Sequence, residues 1–449
     1  MILLKSIPKV DKFIKDESFV NYSRKLISKI AKDVIGELRD NILSNRVTDI
    51  DEKSLINECI KRYEELLNPS LKNLINATGI IVHTNLGRSL IDEESFEKVK
   101  KIVSSYNNLE YDLKVGKRGE RYAHIVKSLK ALTGCEDAIV VNNNASAVFL
   151  ILNTFAKNQE VIVSRGELVE IGGSFRVPEV MAQSGALLKE VGATNKTHLR
   201  DYTENINENT AMLMKVHKSN YTIEGFSSEV CFEDIVKVSQ ENKLIDYYDM
   251  GSGHMIDLPY GLDKVEPSIL KIMEYSPSLV SFSGDKLLGS VQAGVIVGKK
   301  ELIDKIKKNH LLRMLRVDKL TLALLQESLN AYLKDEIEKI PTIAMLHTDV
   351  KVLEKRAKEL QSSLKNVCKC EVIESQTLIG GGTTPNKKIP TVALGIEYKD
   401  FKPNKIEKLL RKENLITRIE NEKVLIDLRS VRECELQEIQ KIVLGVFGE

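Results

Sequence analysis

The sequence predicts an α/β protein with a mostly parallel central sheet, preceded by a small helical domain and followed by an α+β domain. Three observations predict it. Residues 1–68 carry apolar side chains at helical spacing, residues 69–334 alternate short apolar runs with helical stretches, and residues 335–449 mix the two patterns over shorter distances.

In chain order, residues 19–38 and 50–67 set apolar side chains three and four apart among charges, and Asn68-Pro69-Ser70 ends that pattern. The strand candidates follow at 138–141, 161–163, 186–188, 211–216, 244–246, 279–282 and 294–297. Each is short and mostly apolar, as strands covered on both faces by crossover helices must be. Beyond 335 the pattern predicts a charged helix at 350–364, strands around Val372 and Val392, a helix at 405–412 and a last helix at 434–444. The glycine-rich run from Gly380 to Pro385 lacks the strand-to-helix setting and the Lys-Ser/Thr of a nucleotide loop, so it reads as a flexible turn.

Composition bounds the function. A chain of 449 residues can hold two or three domains, and 42% hydrophobic with 29% charged residues argues against extensive disorder. Four apolar or initiator residues before Lys5 are too few for a signal core or a membrane span, so a cytoplasmic protein with no membrane partner is expected. The six cysteines are expected to stay reduced. Cys368 and Cys370 form the one close pair; with no second Cys or His pair at ligand spacing, no metal is expected, and both thiols are placed on one face of a C-terminal strand. A net charge of +2 is not that of a nonspecific polyanion binder. DNA is therefore not expected as a partner, and any other nucleic acid must be met locally. The strongest basic run lies between Lys299 and Lys319 and includes Arg313 and Arg316.

The chemistry centres on Ser281-Phe282-Ser283-Gly284-Asp285-Lys286, a lysine in a small-residue loop directly after an apolar strand. In α/β folds such strand ends hold ligands. A lysine that attacks an aldehyde needs a pocket that strips water from its ammonium group and lowers its pKa. A pyridoxal-phosphate site also needs a phosphate cradle and a carboxylate for the pyridine nitrogen. The strand ending at Val141 runs into Asn142-Asn143-Asn144-Ala145-Ser146, so Asn144, Ala145 and Ser146 would open a helix toward a phosphate; the same residues read equally well as an asparagine cap. Asp249 ends another buried strand, where an unpaired carboxylate is costly and a protonated pyridine would pair it. Phosphate turn, strand-end aspartate and loop lysine, in that order, point to a fold-type-I pyridoxal-phosphate enzyme, with Lys286, Asp249, Ser283, Asn144, Ala145 and Ser146 binding the cofactor.

Four longer segments carry a family resemblance: Asn76 to Arg88, Arg118 to His124, Ser164 to Arg176, and Ser283 to Lys286. Together with Leu132-Thr133-Gly134, Lys215 to Tyr221 and the triple glycine at 380–382, they resemble the bacterial selenocysteine synthases, over nearly the whole chain and most densely from 73 to 300. The family's usual Gly-Pro before Gln-Ala-Gly is replaced here by Ser290-Val291, and Val126 stands where an acidic residue is common. Both departures touch local geometry and leave the reacting groups in place.

The resemblance implies a fold-type-I transferase that converts L-seryl-tRNA(Sec) to L-selenocysteinyl-tRNA(Sec) with selenophosphate, through a cofactor aldimine and a dehydroalanyl-tRNA intermediate. It implies Lys286 as the cofactor lysine, with Asp285 assisting as an acid or orienting it. Arg88, Arg313 and Arg316 would bind the phosphate-like selenium donor by their planar forks, and the helical domain would grip the tRNA. It further implies a homo-oligomer, a ring of dimers such as a decamer. A pyridoxal-phosphate lyase that eliminates a β-substituent from a small amino acid or amino-sugar phosphate stays open as the alternative, and so does a noncatalytic tRNA-binding protein that kept the fold.

Overall fold

The computed structural model describes residues 2–171, 175–384 and 386–448. Gly172, Gly173 and Ser174 of the Ser164–Arg176 motif, and Pro385 of the glycine-rich run, lie outside the described residues. The chain divides into two compact units, Met1–Asn73 and Leu74–Glu449.

The first unit is helical. Its two long helices, Arg24–Leu43 and Glu52–Leu67, begin five and two residues later than the apolar spacing suggested. They enclose a core of Phe13, Phe19, Ile27, Ala31, Val34 and Cys59. Arg62 closes the pair from outside, its guanidinium donating to both carboxylate oxygens of Glu37 at 2.7 Å and to Glu58 at 2.7 Å, the bidentate geometry that makes such pairs stronger than point charges.

The second unit holds a seven-stranded sheet. Across it the strands run Asp137–Val141, Gly294–Gly298, Leu279–Ser283, Ile245–Asp249, Thr210–Val216, Glu160–Ser164 and Leu187–Val191. All seven coincide with predicted apolar runs. Every neighbouring pair is parallel except those that involve Gly294–Gly298, which is antiparallel to both its neighbours. The register sets Val216, Asp249 and Ser281 side by side at the carboxyl ends of adjacent strands, so whatever follows each strand emerges along one edge, where open α/β sheets bind ligands.

A five-stranded sheet is built from Ile75–Ala77, Leu415–Glu420, Lys423–Asp427, Lys388–Glu397 and Lys369–Leu378, in that order. Its core joins Val392, Leu394 and Ile426 to the helices Val350–Leu364, Pro403–Lys412 and Leu436–Phe447. The Asn76–Arg88 motif links the two sheets. It starts as an edge strand of the five-stranded sheet, passes Gly79 at a φ of +83°, where a Cβ would lie 2.4 Å from the buried carboxylate of Asp427, and bridges Val82 to Gly380 before it reaches the lysine loop. Gly79 is needed on both counts, for its left-handed backbone and for the close approach. No helix among the described residues is long and apolar enough to cross a membrane.

Candidate active site

Lys286 sits in a tight loop after the Leu279–Ser283 strand. Ser283, at the strand end, donates its N–H to Gly251 O at 3.3 Å, Gly284 N–H to Ala293 O at 2.8 Å, and Gly289 N–H to Lys286 O at 2.9 Å. Ser89 Oγ donates to Asp285 O and Lys286 O at 2.9 and 2.7 Å. The lysine is 5% exposed, and its Nζ donates to Gly382 O at 3.2 Å. Burial pushes its amine below the ordinary lysine range; the neighbouring charge of Arg88 pushes the same way, against Asp249, Asp285 and Glu266. A desolvated amine of this kind is poised to lose its proton and act as a nucleophile.

Asp249, 3% exposed, takes two hydrogen bonds on one oxygen: Asn144 Nδ2 at 2.7 Å and Gly251 N–H at 2.9 Å both reach Oδ1. Oδ2 receives no hydrogen bond from a described residue. Burial holds the carboxyl above the usual aspartate range, opposed by those two hydrogen bonds and by Lys286 and His217. The helix that opens at Asn144 is capped by Asn143, whose Oδ1 accepts from Ser146 N–H at 2.8 Å. The asparagine cap is therefore real, and the same turn aims Asn144 at Asp249. Gly294 allows this helix start to press on the sheet, because a Cβ there would lie 2.1 Å from Asn143 O. Ala145 is half-buried in the first turn beside Ser146.

Four buried polar atoms near this point have no partner among the described residues: Asn144 Oδ1, His217 Nδ1, Ser219 Oγ and Glu266 Oε1. Buried groups left unpaired are costly. A lysine amine, a carboxylate oxygen without a donor, a helix N-terminus and these orphan atoms fit pyridoxal phosphate, which brings an aldehyde, a ring nitrogen, a ring hydroxyl and a phosphate.

The other anticipated residues fall in two places. Arg88, held at a φ of +62°, donates from Nη1 to Asp285 Oδ2 at 2.8 Å and so stands beside the lysine. Arg313 and Arg316 line a separate cavity of about 520 Å³ with Glu110, Arg118, Arg121 and Lys307. Arg316 Nη1 lies 3.6 Å from Glu110 Oε1, which also accepts from Arg121 at 2.8 and 3.0 Å. This cavity adjoins the helix that opens at Asn144, since Asn142 N–H donates to Leu315 O at 2.9 Å and Val141 bridges to Arg316.

Three participants had been given no role from the sequence. Glu266 is fully buried, its Oε2 accepting from Thr384 N–H at 3.2 Å and lying 3.8 Å from His217 Nε2. His217, within the family-like Lys215–Tyr221 segment, donates its N–H to Asp249 O at 2.9 Å. The glycine-rich run is not the free turn its composition suggested. Thr383 and Thr384 are buried, and Gly382 is the hydrogen-bond acceptor of Lys286. Among the described residues no cluster of three or more His, Cys, Asp or Glu has the geometry of a metal site; Cys368 and Cys370 face each other with Sγ atoms 3.4 Å apart.

A parallel sheet with a buried lysine and a carboxylate at adjoining strand ends defines a fold-type-I pyridoxal-phosphate enzyme. The family described as SelA, L-seryl-tRNA selenium transferase, matches residues 74–432, and the chain belongs to it. The L-seryl-tRNA(Sec) selenium transferase of Aliarcobacter butzleri is 69% identical over 447 residues, covering 100% of this chain and 99% of that protein. The protein of the same name from Sulfurimonas denitrificans is 62% identical over 443 residues, covering 99% of each. Among solved structures, a D-glucosaminate-6-phosphate ammonia-lyase is 19% identical with a TM-score of 0.60, covering 86% of this chain and 97% of that one; at that identity the likeness is one of fold.

Proposed function

We propose that the chain is a pyridoxal-phosphate-dependent transferase that converts L-seryl-tRNA(Sec) to L-selenocysteinyl-tRNA(Sec), with selenophosphate as the selenium donor. The observation that carries the reading is the buried Lys286 amine beside Asp249, in a chain 69% identical over its length to a protein of that name. Bound pyridoxal phosphate would supply an electron sink at the substrate α-carbon.

The chain's own residues do the rest. Lys286 would hold the cofactor and serve as the base for the substrate's α-proton, for which its lowered proton affinity suits it. Asp249 Oδ2, left without a donor, pairs the ring nitrogen; Asn144 and the Gly251 N–H hold the carboxylate in place. Ser283, Ala145 and Ser146 frame the cofactor, the latter two from a helix start suited to a phosphate. Asp285, bound to Arg88, is better placed to orient that arginine and the lysine loop than to give up a proton. Arg88, Arg313 and Arg316 receive the donor's phosphate-like group. Arg88 stands on the lysine side, and Arg313 and Arg316 line the separate cavity in which Arg316 lies 3.6 Å from Glu110. The helical residues at 1–68 grip the tRNA, residues 69–334 and 335–449 act as the catalytic and C-terminal domains, and the enzyme works in the cytoplasm as a ring of dimers.

The test is to incubate the purified protein with seryl-tRNA(Sec) and selenophosphate, deacylate the tRNA and identify the amino acid. Selenocysteine is expected. Serine recovered unchanged from cofactor-loaded protein would favour the small-molecule lyase.

A further inference from the structure

Beside Gly382, the residue whose carbonyl holds Lys286, lies a cavity of about 340 Å³, within the size range of small-molecule sites. His83, Asn85, Ser219, Gly381 and Thr384 line it together with Gly382, and none of its described lining residues is Lys, Arg, Asp or Glu. Burial lowers the proton affinity of His83 and so favours its uncharged imidazole. Behind the rim stands Glu266, fully buried, with Oε2 accepting from Thr384 N–H at 3.2 Å and Oε1 unpartnered. Arg88, the cation that acts on Lys286, is paired with Asp285 at 2.8 Å.

We infer that this neutral cavity, backed by Glu266, admits the uncharged carbonyl of an aminoacyl ester and rejects the carboxylate of a free amino acid. The inference rests on the proposed reaction, in which the substrate's carboxyl group is esterified. A carboxylate brought to Gly382 would lose its water and meet no Lys or Arg side chain among the described residues that line the cavity. An ester carbonyl needs neutral donors alone, and Asn85 and the unpartnered Ser219 hydroxyl are of that kind. A site that binds free amino acids ordinarily answers the carboxylate with a planar arginine fork; here glycines and threonines stand beside the lysine instead. Selection of seryl-tRNA over the cellular pool of free serine is then a property of the pocket as well as of the tRNA contacts.

The test titrates the cofactor-loaded full chain with L-serine methyl ester and with L-serine, following the visible absorbance of the bound cofactor. The ester should perturb it at a concentration at least about tenfold lower than the free acid. Asn85→Arg, at an exposed position on the rim, supplies a cation, and Glu266→Gln removes the buried carboxyl group. At least one of them should lower the L-serine concentration required by about tenfold or more, and this comparison decides the matter if the native protein responds to neither compound. Equal response to acid and ester in the native protein, or no gain for L-serine in either variant, overturns the inference. Conversion of seryl-tRNA(Sec) is measured on the same preparation. Turnover without ester selectivity sinks the pocket's role alone, whereas ester selectivity without turnover sinks the proposed reaction alone.

Discussion

Gly382→Ala tests whether the glycine-rich loop belongs to the lysine's machinery. Gly382 has a φ of +82°, and a Cβ built on it falls 2.6 Å from Lys286 Nζ and 3.0 Å from Cε. The left-handed backbone costs an L-residue about 1–2 kcal/mol, while alanine restricts the unfolded chain and returns about 0.4–1 kcal/mol. Global stability should therefore fall by only about 1 kcal/mol. The contact matters more. Nonbonded atoms settle near 3.5–4 Å, so the amine must retreat by roughly 1 Å, and a displacement of that size at a reacting group costs about 100-fold in rate. The assay is steady-state conversion of seryl-tRNA(Sec), with chemical denaturation run alongside. Turnover within about threefold of the native protein would refute the reasoning, because the loop would then be free to move away from the lysine.

Three further outcomes follow from the same geometry. Asp249→Asn keeps the shape and the Asn144 contact but removes the charge that pairs a protonated ring nitrogen, so turnover should fall by at least about 100-fold with cofactor retained; unchanged kcat would remove that role. Deletion of residues 1–73, the first compact unit, should weaken tRNA binding while the bound cofactor's absorbance persists, and unchanged affinity in a filter-binding assay would contradict the role given to the helices. Because burial lowers the Lys286 pKa, its reactive free amine persists below the ordinary lysine range. Cofactor loading of the apoprotein should therefore stay fast below the ordinary lysine range and slow only below that lowered pKa; a rate that tracks a pKa near 10.5 would show an exposed lysine.

The sequence displayed the central sheet because most of its strands are buried on both faces and read as apolar runs. Some strands of the C-terminal sheet were hidden for the converse reason. Leu415–Glu420 mixes arginine and glutamate among its apolar residues, and Ile75–Ala77 is three residues long. The turn between Leu415–Glu420 and Lys423–Asp427 uses Asn421 and Glu422, both at positive φ, without the glycine that marks such hairpins. Lys286 and Asp249 were legible since each follows an apolar run at its carboxyl end. Glu266 was not singled out, because nothing local sets it apart, and His217 was one of four histidines, with His83, His124 and His254, open as proton shuttles or ring-packing groups and given no role. The fold brings Thr384, Glu266 and His217 together from three distant stretches. The glycines at 380–382 suggested freedom by composition, whereas the structure uses the missing side chains for close approach to Val82 and Lys286.

The site is defined by which lysine carries the cofactor. Among the described residues two lysines are buried, Lys215 and Lys286, and Lys215 is already bound to Glu167 at 3.0 Å and to Val230 O at 2.9 Å. Borohydride reduction of the cofactor-loaded protein, followed by peptide mapping, should place one phosphopyridoxyl group on the peptide that contains Lys286. The same label on Lys215 or on a surface lysine, with Lys286 unmodified, would contradict the site described.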